Sequence, residues 1–278
     1  MSSPFDFLSV LSPRPFADDT ASAEAPAGSA APSPAVAAGD TTVDGATAST
    51  SGPGGSVEAL LDGLNPAQRE AVLHTGAPLL IVAGAGSGKT SVLTRRIAHT
   101  LRTGRARPGE ILAITFTNKA AKEMQERIGA LVGPAARTMW VSTFHSACVR
   151  ILRREAKTLG LTSSFTIYDA QDSLRLLTQI AREENLDPKK FPARALRARI
   201  SGLKNDLLTP DDFAQTVSEH RPHDQAVLSV YRRYQDRLRR ANALDFDDLI
   251  METVHLLGAF DAVAQNYRAR FRHILVDE

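Results

Sequence analysis

A single cysteine, Cys148, in 278 residues excludes an internal disulfide framework, and the lack of any CxxC pair or Cys/His cluster argues against a structural zinc site. Long apolar runs are also missing. Stretches such as "PLLIVA" suit a strand and fall far short of a membrane span. The opening "MSSPFDFLSVLSP" has no basic region ahead of an apolar core, so it does not read as a secretion signal. A reducing cytoplasm is the expected compartment, without membrane association. Aromatic residues are absent from 21–55, which offers almost nothing large to bury. Such a segment cannot offset its ordering entropy, and an acidic, disordered tail over 1–58 is expected. Phe5, Phe7, Leu8, Val10 and Leu11 at its start allow either a short helix docking on a protein partner or an untethered terminus.

The net charge of +2 hides an uneven distribution. Asp6, Asp18, Asp19, Glu24, Asp40, Asp44 and Glu58 face only Arg14 in the first 58 residues, so the remainder is basic and suits a polyanionic partner. From Val57 onward, strand-like runs ("PLLIVA", "ILAITF", "MWVST") alternate with helical periodicity, the pattern of βαβ units and a parallel sheet. After "STFHS" the alternation fades. Apart from "FTIYD", the chain to Ala241 reads as successive helices, with start signals at Asp169 and Asp172 and at Thr209, Pro210, Asp211 and Asp212. The strand signal returns at Ile274 to Val276. The class is therefore α/β, with a helical unit over about 147–240 inserted into a parallel-sheet domain.

"LLIVAGAGSGKTSVL" sets a glycine-rich turn between a strand and a helix, the context of a phosphate-binding loop. Its elements are Ala83, Gly84, Ala85, Gly86, Ser87, Gly88, Lys89 and Thr90. The backbone N–H groups would curve round a triphosphate, Lys89 would reach its β and γ phosphates, and Thr90 would hold Mg²⁺. Ala83 replaces the usual first glycine, which is tolerable only where the backbone needs no positive φ. Upstream, Asn65, Pro66 and Gln68 fit a helix cap, with Gln68 equally well shaped to read an adenine edge. Phe116 would end a strand core and Asn118 would cap a helix. The lone His145 reads as a structural residue, Trp140 and Cys148 as core, and Asp245 and Asp248 as N-cap and N3 of a helix. In "ILVDE", Asp277 and Glu278 are adjacent carboxylates, which can serve one site only at a strand end.

Taken in order and spacing, "LNPAQREAV", "AGAGSGKT", "ITFTNKAAKEM", "VSTFHS", "LDFDDLI" and "ILVDE" resemble the amino-terminal half of a superfamily 1 DNA helicase of the UvrD/PcrA/Rep type. The Ala-rich tail and "MWVSTFHSACVRIL" look most like actinobacterial members. The resemblance covers 59–278 and implies a RecA-like P-loop NTPase domain, 59–146 with 241–278, truncated at the Walker B strand and holding helical subdomain 1B over 147–240. It implies ATP and Mg²⁺ as cofactors, single-stranded DNA and a single/double-strand junction as partners, and 3′ to 5′ unwinding. Alanine at position 83 is accepted in the family. Gln68 becomes an adenine reader, Asp277 a Mg²⁺ ligand and Glu278 the base for the attacking water.

The resemblance also has Thr115, Phe116 and Asn118 line the strand path, Thr143 and His145 touch phosphates, and Lys204, in "ISGLKND", approach duplex DNA. Ser91 departs from the arginine that several members carry beside the nucleotide. The family's γ-phosphate-sensing glutamine and second RecA-like domain lie outside these 278 residues, so turnover by this chain alone is not expected. Two other readings share the motifs: the helicase half of a recombination helicase-nuclease, and a non-catalytic ATP and DNA binding module.

Overall fold

The structure, a computed structural model, describes residues 56–84, 86–218 and 220–277. The tail expected over 1–58 therefore falls almost wholly outside the described residues. A 3-10 turn, Glu58–Leu61, leads to helix α1 (Pro66–Leu73), and the phosphate-loop segment follows into α2 (Lys89–Arg102). Next come β1 (Ile111–Thr115), α3 (Asn118–Val132), β2 (Trp140–Thr143) and α4 (Phe144–Arg154). A helical run holds β3 (Thr166–Tyr168), α5 (Ala170–Glu183), α6 (Ala193–Asn205), α7 (Pro210–Thr216) and α8 (Pro222–Arg240). The chain then returns through β4 (Ala243–Asp245), α9 (Phe246–Ala259), α10 (Asp261–Arg270) and β5 (His273–Asp277).

The main sheet is parallel, in the order β2–β1–β5. All five residues of β1 are buried, as a parallel strand covered on both faces requires. Its side chains alternate. Leu112 and Ile114 join Ile151, Leu152, Leu249 and Leu256 of α4 and α9 on one face, while Ile111 and Ala113 join Ile97, Met124 and Ile128 of α2 and α3 on the other. Trp140 and Cys148 are each 1% exposed within the first of these cores. A separate core, with Leu177, Ile200, Phe213, Tyr231 and Tyr234, binds α5 to α8 together. The residues from Cys148 to Phe165 belong to the sheet's core, so the helical unit's own packing begins after the boundary expected at 147.

Two expectations about strands need correction. Residues 78–83 are not a strand: Ile81 packs near Leu61, Val72 and Val92, while Leu80 and Val82 are 85% and 88% exposed. A strand exists only through its ladder, and among the described residues none runs beside this segment. Conversely, Ala243–Asp245 is a strand, pairing in parallel with "FTIYD" through Ile167 and Leu244. Three residues are too few to show an alternating pattern. The caps agree with their signals: Asp169 with Asp172, Thr209 with Asp212 and Asp245 with Asp248 all close capping boxes.

Candidate nucleotide and nucleic-acid site

The strand register aligns Thr143, Thr115 and Asp277 at the carboxyl ends of three neighbouring strands, the edge where parallel α/β sheets bind ligands. The phosphate loop meets this edge beside β5. Thr90 Oγ1 donates to Asp277 Oδ2 at 2.7 Å, joining residues 187 positions apart. A hydroxyl and a carboxylate are hard oxygen donors of the kind Mg²⁺ selects, so the pair fits that ion. Lys89 Nζ donates to the carbonyls of Ala83 and Gly84, at 2.6 and 3.0 Å, within its own loop.

Gly86 and Gly88 have φ of 77° and 83°, where a side chain would strain the backbone. Ala83 is not among the positive-φ residues, so alanine costs nothing there. Gln68 serves its helix and the loop together: Oε1 accepts from the Asn65 N–H, and Nε2 donates to the Ser87 carbonyl at 2.9 Å. A Cβ on Gly88 would lie 3.3 Å from that Nε2, a second reason for glycine. Ala85 and Glu278 lie outside the described residues.

One strand away, a cavity of about 410 Å³ opens between the turns that follow β1 and β2 and the start of α9. Phe116, Thr117, Asn118, Thr143, Phe144, His145, Phe246 and Ile250 line it. Phe116 is not a strand-core residue, being 76% exposed, and the helix cap is Thr117, whose Oγ1 accepts from the Ala120 N–H, rather than Asn118. Both Phe116 and Asn118 are thereby free to face the cavity. His145 stacks on Phe246 with centroids 3.9 Å apart and an interplanar angle of 22°. Burial holds the His145 pKa below its ordinary value, opposed by the Asp247 carboxylate. The imidazole is therefore neutral at pH 7, able to hydrogen-bond without a full charge.

The family model for the UvrD/REP helicase N-terminal domain matches residues 64–278. The chain belongs to the UvrD/REP helicase family. It is 61% identical over 221 residues to the ATP-dependent DNA helicase UvrD1 of Mycobacterium tuberculosis, covering 79% of this chain and 29% of that protein. It is 49% identical over 219 residues to the ATP-dependent DNA helicase PcrA of Bacillus subtilis, again 79% of this chain and 29% of that one. PcrA of Staphylococcus aureus is 50% identical over 222 residues, 80% of this chain and 30% of the relative. The chain thus spans about three tenths of the length of the curated relatives it matches. Among the described residues, no helix is long and apolar enough to cross a membrane.

Within this UvrD/REP domain, two expected DNA contacts lie elsewhere. Thr115 is 1% exposed, and its hydroxyl donates to the Thr117 carbonyl, so it supports the turn from beneath. Lys204 has a fully enclosed side chain, 2.6 Å from Asp245 Oδ2 and 2.8 Å from Asp248 Oδ1, which leaves it no path to a duplex. Thr143 lines the cavity, but its hydroxyl caps α4 through the Ser146 N–H and donates to Ser146 Oγ. The carboxylates of "LDFDDLI" account for that stretch by capping alone, so the sequence does not single out Phe246, which the structure brings to the cavity. An aromatic between two capping residues is the available signal.

Proposed function

We propose that this chain is the ATP-binding and single-strand-binding part of an ATP-dependent DNA helicase that moves 3′ to 5′ and opens a single/double-strand junction. The observation that carries this reading is the shared sheet edge, on which a phosphate loop tied to Asp277 stands one strand from an aromatic cavity. Phe116 and Phe246 are exposed faces on which bases stack without regard to sequence, as a motor passing every base requires. Asn118 and His145 supply hydrogen bonds to the strand.

For the nucleotide, the N–H groups of the loop and the start of α2 cradle the phosphates, and Lys89 exchanges its two carbonyls for phosphate oxygens. Gln68 takes the adenine edge. Thr90 and Asp277 would hold Mg²⁺, which when bound offsets phosphate charge. Glu278, next in sequence, orients and deprotonates the attacking water. The reading extends to cytoplasmic location and rests on family membership for polarity, junction and Mg²⁺. The relatives' printed activity, ATP-dependent DNA helicase, agrees with it.

The test is binding of a fluorescent ATP analogue with Mg²⁺, and of a fluorescein-labelled oligothymidine, by the wild-type chain and Lys89→Ala. Losing charged hydrogen bonds worth about 1.5–3 kcal/mol each should weaken nucleotide binding at least tenfold and leave DNA binding in place. Unchanged nucleotide affinity in Lys89→Ala would falsify the phosphate-loop assignment.

A further inference from the structure

Lys204 was expected at the DNA and lies buried, yet its partners lead back to the cavity. Its ammonium joins Asp245 and Asp248, the N-cap and N3 residues of α9, whose carboxylates also accept each other's backbone N–H at 2.8 and 3.0 Å. From α8, Tyr234 Oη donates to Asp245 Oδ2 at 2.9 Å and Gln235 Nε2 to Asp248 Oδ1 at 3.1 Å. Every carboxylate oxygen of the pair is thus engaged. The residue directly after Asp245 is Phe246, 55% exposed and stacked on His145 in the cavity. The helical unit therefore grips one side of a single turn, and the other side presents an aromatic face to the cavity.

We infer that Lys204 is a positioning residue for DNA binding: it fixes the Asp245–Asp248 turn so that Phe246 meets His145, without touching DNA itself. The inference rests on the cavity being the single-strand site. Lys204 with the two carboxylates leaves one net negative charge in a closed space, and removing the ammonium leaves two. Two unscreened buried carboxylates repel, and the cheapest relief is to open the capping box that holds Phe246. The groups facing Asp248 are Lys204 from α6, Tyr231 and Tyr234 from α8, and Asp245 ahead of it in its own turn. Burial already pushes the Asp248 carboxyl up to about 6, so a proton is the natural substitute for the lost ammonium. Gln235 Oε1 has no partner, so that amide can turn to accept from an asparagine at 248.

The experiment measures oligothymidine and MgATP-analogue affinity, with circular dichroism for folding, across pH 6 to 8. Lys204→Met should bind oligothymidine about tenfold more weakly than the wild type at pH 8, the ratio between the two closing toward pH 6, and should bind nucleotide as the wild type does. Lys204→Met with Asp248→Asn restores one net charge and should bind DNA normally at all these pH values. A merely structural lysine would produce neither the pH recovery nor that rescue. Tyr234→Phe removes one donor and no charge; it should weaken DNA binding about threefold, and serves if Lys204→Met does not fold. Phe246→Ala is run beside them. If Phe246→Ala weakens binding while folded Lys204→Met, or in its place Tyr234→Phe, does not, positioning by Lys204 is overturned and the cavity reading stands. If Phe246→Ala binds as the wild type, the cavity reading fails and the inference with it.

Discussion

On the proposed reading, His145 and the two exposed phenylalanines divide the work of holding a strand, and the physics of each sets a different experimental signature. Phe116 and Phe246 can contribute stacking only, which releases no counterions. Replacing either by alanine should cost about 1–3 kcal/mol in oligothymidine affinity while leaving the slope of affinity against salt unchanged. A change in that slope would mean that the ring was ordering a phosphate contact instead. His145 is held neutral by burial, so its charge can contribute only below its ordinary pKa of 6.5. As pH falls through the depressed value, the imidazolium should tighten DNA binding, and His145→Gln should abolish that gain. The effect on folding has the opposite sign. A histidine that resists protonation when folded takes up its proton more readily unfolded, so stability falls as pH drops through 6.5 toward the folded pKa. Titrations over pH 5 to 8 should therefore show His145→Gln losing the gain in affinity at low pH while its urea midpoint falls less than that of the wild type, the buried His99 and the half-buried His273 keeping the rest of the fall.

At the level of elements, what was legible is what sequence neighbours decide. The caps at Asp169, Thr209 and Asp245 depend on a side chain and an N–H three residues on, and all three close as their spacing indicates. The β1 strand was legible because five consecutive buried residues leave little else for the chain to do. Contacts made at long range were not. Residues 78–83 carry a strand composition without a ladder, because pairing belongs to two segments and composition to one. Lys204 finds its carboxylate 41 positions away, and no local pattern separates such a lysine from one on a solvated face. In the cavity, the shift of the α3 cap by one residue changed two assignments together. Thr117 holds the cap, so Thr117→Ala should lower unfolding free energy by about 1 kcal/mol, whereas Asn118→Ala should cost only a few tenths. Urea denaturation distinguishes them, and equal losses would return the cap to Asn118.

For the whole molecule, the proposed nucleotide and DNA sites are neighbours on one sheet edge, since Asp277 and Thr115 are paired in register and Thr115 precedes the Phe116 turn. Strands stand about 4.8 Å apart, so two ligands bound as proposed would rest on adjoining strands of one sheet. Each ligand binds the folded state alone, and each should raise its stability by mass action. At a hundredfold excess over Kd the gain is about 2.7 kcal/mol, which for a chain of this size shifts Tm by roughly 5–10 °C. The separation of the sites then becomes measurable in thermal scans. Lys89→Ala should lose about half or more of the shift with MgATP and keep the shift with oligothymidine. Phe246→Ala at the same ligand concentrations should keep the nucleotide shift and lose from about a third to about nine tenths of the other. A chain in which the phosphate loop and the cavity formed one undivided site would lose both shifts together in either variant, and that result would sink the two-site arrangement. The Lys204 turn lies on the cavity side of this division, so Lys204→Met at pH 8 should follow Phe246→Ala, although its own side chain is closed to both ligands.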